Sequence, residues 1–492
     1  MKRVFLLLLV CVAVIGQTHS QVAVLSPLDF GLREAKTDID RFYVLKRCHD
    51  YAITTGAAVD YHGIDSIRLE IPMDAQNIPL SYYTDFAGVK MIVNNANKNF
   101  WFFKMFQEST PVEITGSEID KGDFRDNSSL KTGNKMLIIE DSIPWITERI
   151  GYEGTALCKR KDILLLRKGR ALNHTIQPYN NHYSAPQASF IDVDGKKKIV
   201  KNLNFVRTST SDYITYLMYV ANQCDVVLSN ICITTPEGSN LTNDSGIILE
   251  NCGNVELNDI HINKTYSEIN STGYGVRLLN VYNTTINRMV ANGNWGVFND
   301  RNVNKATLID CNVNRFDCHY YGRDFTFENC VCEDMYNQYA SVYGTIKYKN
   351  CIFKNYRSVL LESSFNAFTP FDVIWENCDF YLTKERNFFL TLFGVPQKIN
   401  SRPELSKKSI PNMTVKNCRV FCDEDVKEWY LVQTGKVYYE GSFDYISKIK
   451  IDGLEVNATD DTYFNYFSTS LKTENNIKYK VKRTKGLKWE TN

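Results

Sequence analysis

The dipeptide Asn-Cys, replaced by Asp-Cys in one copy, recurs behind short alternating strands in the second half of this chain. The copies stand at Asn251-Cys252, Asp310-Cys311, Asn329-Cys330, Asn350-Cys351, Asn377-Cys378 and Asn417-Cys418. From Cys311 to Cys330 and on to Cys351 the spacing is 19 and then 21 residues. A repeat of about twenty residues, built from strands with a polar residue at one bend, is typical of a solenoid whose coils stack as parallel sheets. The sequence therefore predicts an all-β fold, a right-handed parallel β-helix.

The two residues of the repeat are expected to have different structural roles. Asparagine tolerates left-handed backbone angles, and its amide can hydrogen-bond to the equivalent asparagine one coil away. The cysteine that follows it should join a column of small buried apolar side chains. Although 13 of the 14 cysteines lie beyond residue 20, we predict that Cys311, Cys330, Cys351 and Cys378 are buried in one column and largely outside disulfides.

The first 20 residues, MKRVFLLLLVCVAVIGQTHS, have the pattern of a secretory signal. Lys2 and Arg3 precede an apolar run that ends before a small-residue cleavage site. No later segment is apolar enough to span a bilayer. The expected location is therefore secreted or periplasmic, with no transmembrane segment.

The rest of the chain is expected to form one solenoid that is capped at both ends. Thr37 or Asp38 can begin a helix that ends at Gly56 and buries Phe42, Leu45, His49 and Ala52 at helical spacing. A cap of this kind would cover an exposed sheet end, which otherwise invites aggregation. The predicted divisions are a signal peptide at 1–20, an amino-terminal cap with the first coils at 21–125, the β-helix at 126–460 and a carboxy-terminal capping tail at 461–492.

Composition restricts the class of partner. The chain has 57 basic and 56 acidic side chains, so nucleic acid is not an expected partner. Aromatic residues make up 13% of the chain, with 29 tyrosines, and tyrosine offers both an apolar face and a hydroxyl group to a carbohydrate. We expect a monomer that binds polysaccharide, although the sequence itself does not determine the oligomeric state.

No metal ligands are assigned from the sequence. No CxxC pair or Cys/His cluster has the spacing of a zinc site. Asp244, Glu250 and Asp259 are too scattered to define a calcium site. The cofactor is therefore unknown, and a requirement for calcium is left open.

The stretch from residue 271 to residue 330 departs from the plain repeat, because polar and aromatic residues crowd its strands. Alternate side chains of a strand point to opposite faces. If Val276, Val297, Cys318 and Val342 point inward, their neighbours form an outward column three or four coils tall. That column would contain Arg277, Trp295, His319, Tyr321, Ser341, Tyr343 and Glu362. Each member also has an ordinary explanation; His319 could bond across a turn, and Arg277 and Arg315 could pair with Asp300 or Asp317.

Three segments of this region, NGNWGVF, NRFDCHYYGRD and NQYASVYGTI, resemble a group of secreted β-helix proteins in the pectate-lyase superfamily. Such proteins occur in polysaccharide-degrading gut bacteria and in phage tails. The resemblance spans most of residues 188–360 and implies a pectate-lyase-like β-helix. It also implies lyase activity on polysaccharides that contain uronic acid. These are glycosaminoglycans, such as chondroitin and hyaluronan, or pectin-like polymers. The Gly-His-Gly and Arg-Ile-Lys motifs of the polygalacturonase-type hydrolases are absent from this sequence.

The first functional hypothesis is a polysaccharide lyase that works by β-elimination. This reaction needs a cation beside the uronate, a base to take the adjacent proton and an acid to protonate the leaving oxygen. His319 suits the base because its ordinary pKa is near neutrality. Tyr343 or Tyr321 could supply the acid, or the base if a nearby arginine lowers its pKa, and Arg277 and Arg315 could bind the carboxylate. The remaining candidates, for substrate binding, are Trp295, Tyr321, Asp317 and Arg323.

Two alternatives belong to other classes. A glycoside hydrolase would need two carboxyl groups roughly 5 to 9 Å apart, for which Asp300, Asp317 and Glu362 are the candidates. A non-catalytic glycan-binding or tailspike-like module would need neither, because a β-helix can serve as a rigid stalk and the fold alone implies no activity.

Overall fold

The computed structural model describes residues 23–489 apart from several internal segments. Those segments are 96–98, 143–145, 148–156, 177, 180–185, 209–214, 236–244, 265–273, 293–295, 340–341, 356, 363–370, 394–410, 435–446 and 469–476. The predicted signal sequence and Trp295 lie outside the described residues, as do Ser341 and the side chains of His319, Asp300 and Glu362.

The secondary structure is almost entirely β. The described residues contain two α-helices, α1 (Asp38–Thr55) and α2 (Gly116–Lys121), with a 3-10 helix at Pro27–Phe30. The strands of the first half are β1 (Val24–Leu25), β2 (Ala58–Asp60), β3 (Ser66–Glu70), β4 (Ile78–Pro79), β5 (Tyr83–Asp85), β6 (Lys90–Asn94), β7 (Phe100–Phe106), β8 (Thr110–Val112), β9 (Asn134–Asp141), β10 (Ile146–Thr147), β11 (Leu157–Cys158), β12 (Lys161–Arg167), β13 (Arg170–Ala171), β14 (Pro186–Asp192), β15 (Lys198–Arg207), β16 (Thr215–Thr235) and β17 (Ser245–Lys264). Those of the second half are β18 (Tyr274–Asn287), β19 (Val290–Asn292), β20 (Gly296–Ile309), β21 (Asn312–Glu328), β22 (Val331–Tyr339), β23 (Val342–Lys349), β24 (Ile352–Lys354), β25 (Arg357–Glu362), β26 (Asp372–Glu376), β27 (Asp379–Leu382), β28 (Phe388–Phe393), β29 (Asn412–Cys422), β30 (Glu428–Thr434), β31 (Ser447–Asn457), β32 (Tyr463–Phe467) and β33 (Ile477–Lys485).

Twenty-six of these strands form one continuous parallel sheet that winds around a central core. Each coil presents three flat faces, and long strands such as β16 bend around the corners between them. We call face 1 the part that contains Arg277, face 2 the part that contains Leu308, and face 3 the part that contains Val313. Inward residues stack in register from coil to coil; one such column, entirely buried, is Leu228, Leu257, Ile286, Leu308 and Phe327. The parallel β-helix predicted from the sequence is confirmed.

The corner between faces 2 and 3 is the bend marked by the Asn-Cys repeat. Asp310, Asn329, Asn350 and Asn377 all have left-handed backbone angles, with φ between 54° and 55°. Their side chains hydrogen-bond from coil to coil over 3.0–3.1 Å. The predicted role of asparagine is therefore confirmed, since it satisfies both the backbone angle and the neighbouring amide.

One copy of the repeat belongs to a different corner. Asn251 donates to Asn222 and accepts from Asn280 at the corner that follows face 1. The residue equivalent to Asp310 in that earlier coil is Asp259, which pairs with Arg288. A dipeptide cannot distinguish the two corners because both require the same left-handed backbone angle.

The cysteines behind the asparagines are buried and unpaired. Cys311, Cys330, Cys351 and Cys378 are free thiols with at most 2% of their surface exposed. Each thiol donates to a carbonyl oxygen of the preceding strand, 3.3–3.5 Å away. The structure thus confirms the predicted thiol column.

We expect alkylation of the denatured, unreduced protein to label most of its cysteines, because these thiols form no disulfide. In the native protein the same thiols should react slowly, since burial restricts access and disfavours the thiolate. For example, burial raises the pKa of the Cys378 thiol far above its ordinary value. Mass spectrometry of the alkylated peptides measures both states; protection of the four column cysteines after denaturation would mean that they are cross-linked.

The amino-terminal cap agrees with its prediction. Thr37 and Asp40 form a capping box at the start of α1, and Gly56 ends the helix in the left-handed conformation. The helix buries the predicted face against the first coils; His49 on this face shares a 2.9 Å hydrogen bond with the Tyr61 hydroxyl group.

The predicted boundary at residue 125 differs from the observed architecture. Parallel pairing already begins at β1 and β2 and runs through β7. The strands β8, β9, β12, β13 and β14 then form a separate antiparallel sheet, inserted between the coils of β7 and β15. Its apolar runs are buried on both sides, against α2 and against solenoid residues such as Cys224 and Tyr282. Such runs fit a buried strand of either kind, which is why the sequence placed them in early coils.

The carboxy-terminal segment, predicted to cover the final coil, supplies that coil itself. Strand β32 pairs in parallel with β30, and β33 pairs in parallel with β31. Trp489 then packs against Phe464 at the open end. Within the part of the chain that the structure describes, no helix is long and apolar enough to cross a membrane.

Candidate functional site

The outer side of face 1 carries a column of polar residues that are in register on successive coils. Arg277 on β18 pairs with Asn299 on β20, Asn299 with Asp317 on β21, and Asp317 with Gln338 on β22. The strand alternation is as predicted, because Val276 and Cys318 are fully buried in the core whereas Arg277 is half-buried on the outer side.

An ion pair lies at the centre of this column. The Nε of Arg315 donates to both carboxylate oxygens of Asp317 at 2.7 Å, and its Nη2 donates to Oε1 of Gln338 at 3.0 Å. The Tyr274 hydroxyl, from the coil two below, donates to the same carboxylate at 2.5 Å. Arg315 and Asp317 are 2% and 0% exposed. Burial opposes the charge of Arg315, but Asp317 outweighs this effect and raises the pKa of the guanidinium group.

The hydrogen bond from Tyr274 to Asp317 is possible because residue 296 is a glycine. A Cβ atom at this position would lie 2.9 Å from the Tyr274 ring and 3.3 Å from the Cβ of Arg315. A side chain here would therefore displace the ring that bridges two coils. This contact explains the second glycine of the segment NGNWGVF, Gly296, in structural terms.

A second outward column of face 1 alternates cations and aromatic rings. Arg315, Tyr336, Arg357 and Phe388 stand on successive coils. The guanidinium carbons of Arg315 and Arg357 lie 4.7 and 5.7 Å from the centre of the Tyr336 ring, and that of Arg357 lies 5.5 Å from the centre of Phe388. Cation–π contacts of this kind hold guanidinium groups in place without neutralising them.

Arg357 differs from Arg315 in its electrostatic surroundings. Its buried Nε has no hydrogen-bond acceptor among the described residues. Burial, together with the nearby Arg386, lowers the pKa of Arg357 to about 10. A cation in this condition gains free energy from any anion that approaches it. Arg357 is therefore the strongest candidate on face 1 for binding an acidic group.

The tyrosines predicted for this site lie elsewhere. Tyr321 occupies the corner after face 1 with φ of 59°, and its hydroxyl donates to Asp162 of the inserted sheet at 3.3 Å. Tyr343 follows that corner, pairs with Arg323 and packs edge-on against Tyr321, with ring centres 5.8 Å apart. The prediction placed Tyr343 in one outward column with Arg277, but on that coil the residue in register with Arg277 is Gln338, through Asn299 and Asp317.

The roles predicted for Arg323, Tyr343 and Arg315 change accordingly. Arg323 donates to the carbonyl oxygens of Thr175 and Ile176 in the inserted segment, so it holds that segment to the solenoid. Burial raises the pKa of Tyr343, which disfavours proton loss. The Nε of Arg315 donates to Asp317, so Arg315 positions this carboxylate instead of binding substrate with its Nε.

His319 follows the Arg315–Asp317 ion pair in the sequence. Cys318 pairs with Asp300 and Tyr320 pairs with Arg301, so His319 is the extra residue at an irregularity in the ladder. Such irregularities redirect side chains and are frequent next to active sites. The backbone position keeps His319 a candidate, while its side chain lies outside the description.

Asp162, beneath Tyr321, lies in a buried polar cluster of the inserted sheet. Its carboxylate accepts from the Ile176 amide at 2.9 Å and from the hydroxyls of Tyr179 and Tyr321 at 3.1 and 3.3 Å. Burial raises the pKa of Asp162 to about 7, although Arg160 opposes the shift. The cluster joins the insertion to the solenoid and lies away from the outer side of face 1.

This shift predicts a pH-dependent stability. Because the folded protein holds the Asp162 proton more tightly than the unfolded chain does, stability should fall as pH rises from about 4 to about 7, by at most about 1.4 kcal/mol per pH unit. Asp162→Asn keeps the shape of the protonated form and should flatten this part of the pH profile. Urea unfolding at a series of pH values measures the difference; equal slopes for the two proteins would contradict the assignment.

Sequence reasoning missed Tyr274, Gln338, Tyr336 and Arg357. The spacing carried a signal for three of them, close to that of the Asn-Cys repeat. Tyr336 follows Arg315 by 21 residues, Gln338 follows Asp317 by 21, and Arg357 follows Tyr336 by 21. Among the residues with described positions, no group of three or more His, Cys, Asp or Glu side chains could hold a metal ion.

No protein-family model and no curated protein sequence matches the chain. Among solved structures, the tailspike protein gp49 from Pseudomonas phage LKA1 is similar, with a TM-score of 0.55 and 11% identity over 94% of this chain and 79% of that one. The tailspike gp61 of Pseudomonas phage phi297 has a TM-score of 0.47 and 12% identity, covering 90% and 82% of the two chains. A family 28 exopolygalacturonase of Yersinia enterocolitica has a TM-score of 0.36 and 12% identity, covering 96% and 79%. At such identities the likeness to gp49 concerns the fold alone, and the two lower scores add no argument. This chain is a right-handed parallel β-helix protein.

Proposed function

We propose that this protein is an exported polysaccharide lyase that cleaves a uronic-acid polysaccharide by β-elimination on the outer side of face 1. The observation that carries the proposal is Arg357, a half-buried cation held beside Tyr336, whose Nε has no acceptor among the described residues. A uronate carboxylate would supply the missing acceptor. The same contact would withdraw charge from the carboxylate and so acidify the adjacent C–H bond.

The neighbouring groups supply the remaining requirements of the reaction. His319 is the proposed base, two residues after Asp317 on the same strand. The Tyr336 ring lies between two guanidinium groups, and its hydroxyl is the proposed acid that protonates the leaving oxygen. The Arg315–Asp317 pair holds this strand rigidly, since both groups are buried and bonded.

A glycoside hydrolase fits the described residues less well. It needs two carboxyl groups that can exchange protons or attack the sugar. Both oxygens of Asp317 accept from Arg315, and one of them also accepts from Tyr274, so this carboxylate is committed to structural bonds. We therefore prefer β-elimination, and treat hydrolysis and simple glycan binding as outcomes of the test.

Face 1 also offers an aromatic surface for the rest of the polysaccharide. Trp101 and Tyr219 stack with ring centres 4.2 Å apart and planes 11° apart, and both are half-buried. Tyr219 is in register with Ile248 and then Arg277. At about 4.8 Å per coil, the Trp101 coil lies roughly 24 Å from the coil of Asp317. A surface of this length would accommodate several consecutive sugar rings of a polysaccharide that lies along face 1.

The test is a screen of the purified protein against chondroitin, hyaluronan, heparin, pectin and alginate, with and without a chelator. A lyase produces an unsaturated uronide that absorbs in the ultraviolet. New reducing ends without this absorbance would identify a hydrolase, and binding without cleavage would identify a glycan-binding module. Either result would overturn the proposed reaction.

Arg357→Ala should lower kcat/KM on the carboxylated substrate by about 10- to 100-fold, the effect of losing one hydrogen bond to a charged group. Its effect on a methyl-esterified form of the same polymer should be much smaller, because the ester carries no charge. Arg288→Ala is the matched control, since Arg288 is bonded to Asp259 at the corner between faces 2 and 3. Equal losses on both substrates would show that Arg357 does not bind the uronate.

A further inference from the structure

Four lysines form a compact rectangle on the outer side of face 2 at the carboxy-terminal end. Lys448 and Lys450 on β31 stand directly opposite Lys478 and Lys480 on β33. They point outward, because Ile449 between the first two is buried in the core. Standard strand geometry places the four positions about 4.8 Å apart between coils and roughly 6.6 Å apart along each strand.

This arrangement departs from the charge pattern of the preceding coils. There, lysines on face 2 meet carboxylates of neighbouring coils: Lys349 lies 2.6 Å from Glu328, and Lys416 lies 2.6 Å from Glu376. Among the described residues, Lys448, Lys478 and Lys480 have no ion pair within 4 Å. Lys450 has one at 3.8 Å, with an aspartate that also pairs with Arg483. Like charges directly opposite each other destabilise a sheet, so the rectangle carries an electrostatic cost that an anion would relieve.

The lysines line a groove with other groups suited to sugars. The groove has a volume of about 610 Å³ and also contains Asn412, Thr414 and Tyr479. Thr414 offers a hydroxyl group on the outer side, between the buried Met413 and Val415. The one carboxylate of the lining, Asp372, accepts from the Asn412 amide at 2.9 Å. Cations beside hydroxyl and amide groups match a carbohydrate that carries negative charges.

We propose that this groove is a second glycan-binding site, which holds a carboxylated or sulfated polysaccharide without cleaving it. The concave shape and the hydrogen-bonding side chains favour a polysaccharide over a membrane surface, which would require a protruding patch. The overall charge of +1 does not favour nucleic acid. The site lies on face 2, so it does not depend on the reaction proposed for face 1. It would keep the enzyme on its polymer between cleavage events.

The test compares the full chain with a variant in which Lys448, Lys450, Lys478 and Lys480 are replaced by serine. The control variant carries serine at four ion-paired lysines elsewhere: Lys46, Lys197, Lys349 and Lys354. Titration calorimetry at two salt concentrations would measure binding to heparin, polygalacturonate and neutral dextran. We expect the groove variant to bind the acidic polymers about 10- to 100-fold more weakly, as the loss of four exposed charge contacts implies. The control variant should bind like the wild type, and dextran should not bind through this site.

A second variant guards against loss of structure. Lys450→Glu with Lys480→Glu changes only two exposed side chains and should weaken binding at least as much, whereas its circular dichroism should stay unchanged. The proposal is wrong if either variant binds the acidic polymers like the wild type. It is also wrong if the wild-type protein binds duplex DNA or anionic vesicles and the four lysines contribute equally to that binding. Failure of the lyase proposal would appear separately, as a lack of cleavage with groove binding intact.

Discussion

Arg315→Ala is expected to lower the free energy of unfolding by about 3–5 kcal/mol, the usual effect of removing one partner of a buried ion pair. The loss is large because Asp317 would remain buried with a negative charge, and Gln338 would lose the donor to its Oε1. Urea unfolding of the wild type and the variant, followed by far-ultraviolet circular dichroism, measures the change.

Two comparisons make this result specific. Arg288→Ala removes an equally well-formed pair with Asp259, but one that is about half exposed, and should cost less than about 1 kcal/mol. Combining Arg315→Ala with Asp317→Asn removes the unpaired charge and should recover part of the stability. A loss at Arg315 no larger than that at Arg288 would show that the buried pair does not stabilise face 1.

His319→Ala is expected to lower kcat by about two to four orders of magnitude on the substrate that the wild type cleaves, the usual contribution of a positioned acid or base. The free energy of unfolding should hardly change, because the predicted outward side chain leaves no core cavity. The plot of kcat/KM against pH should also lose the rise that follows deprotonation of the His319 imidazole. Steady-state rates over a range of pH values, together with thermal unfolding, test both parts.

Tyr343→Phe is the informative companion to this variant. Tyr343 lies after the corner and packs against Tyr321 and the inserted sheet, so the loss of its hydroxyl should leave turnover nearly intact. Full activity in His319→Ala would refute the proton-transfer role and direct attention to Tyr336, Asp300 and Glu362. A severe loss in Tyr343→Phe would instead support the original grouping of Tyr343 with His319.

The sequence by itself determined the architecture, because a solenoid is specified locally. A left-handed corner favours asparagine, and the buried position behind it favours a small apolar side chain, so Asn329-Cys330 and its equivalents mark successive coils directly. Alternation within one strand is equally local. It correctly placed Val276 and Cys318 inward, and Arg277 on the outer side.

Only the tertiary structure decided which side chains meet, because alternation does not continue through a corner or an irregularity. A left-handed residue such as Tyr321, or the extra residue at His319, resets the inward and outward order of everything that follows. For this reason Tyr343 was assigned to face 1, although Gln338 occupies that position. The bonds of the Arg315–Asp317 pair to Gln338 and Tyr274, and the lack of an acceptor for the Arg357 Nε among the described residues, depend on neighbouring coils, which a linear sequence does not place side by side. Burial then gives these groups their chemistry, since the same guanidinium group is a structural partner beside a carboxylate and an anion-binding group without one.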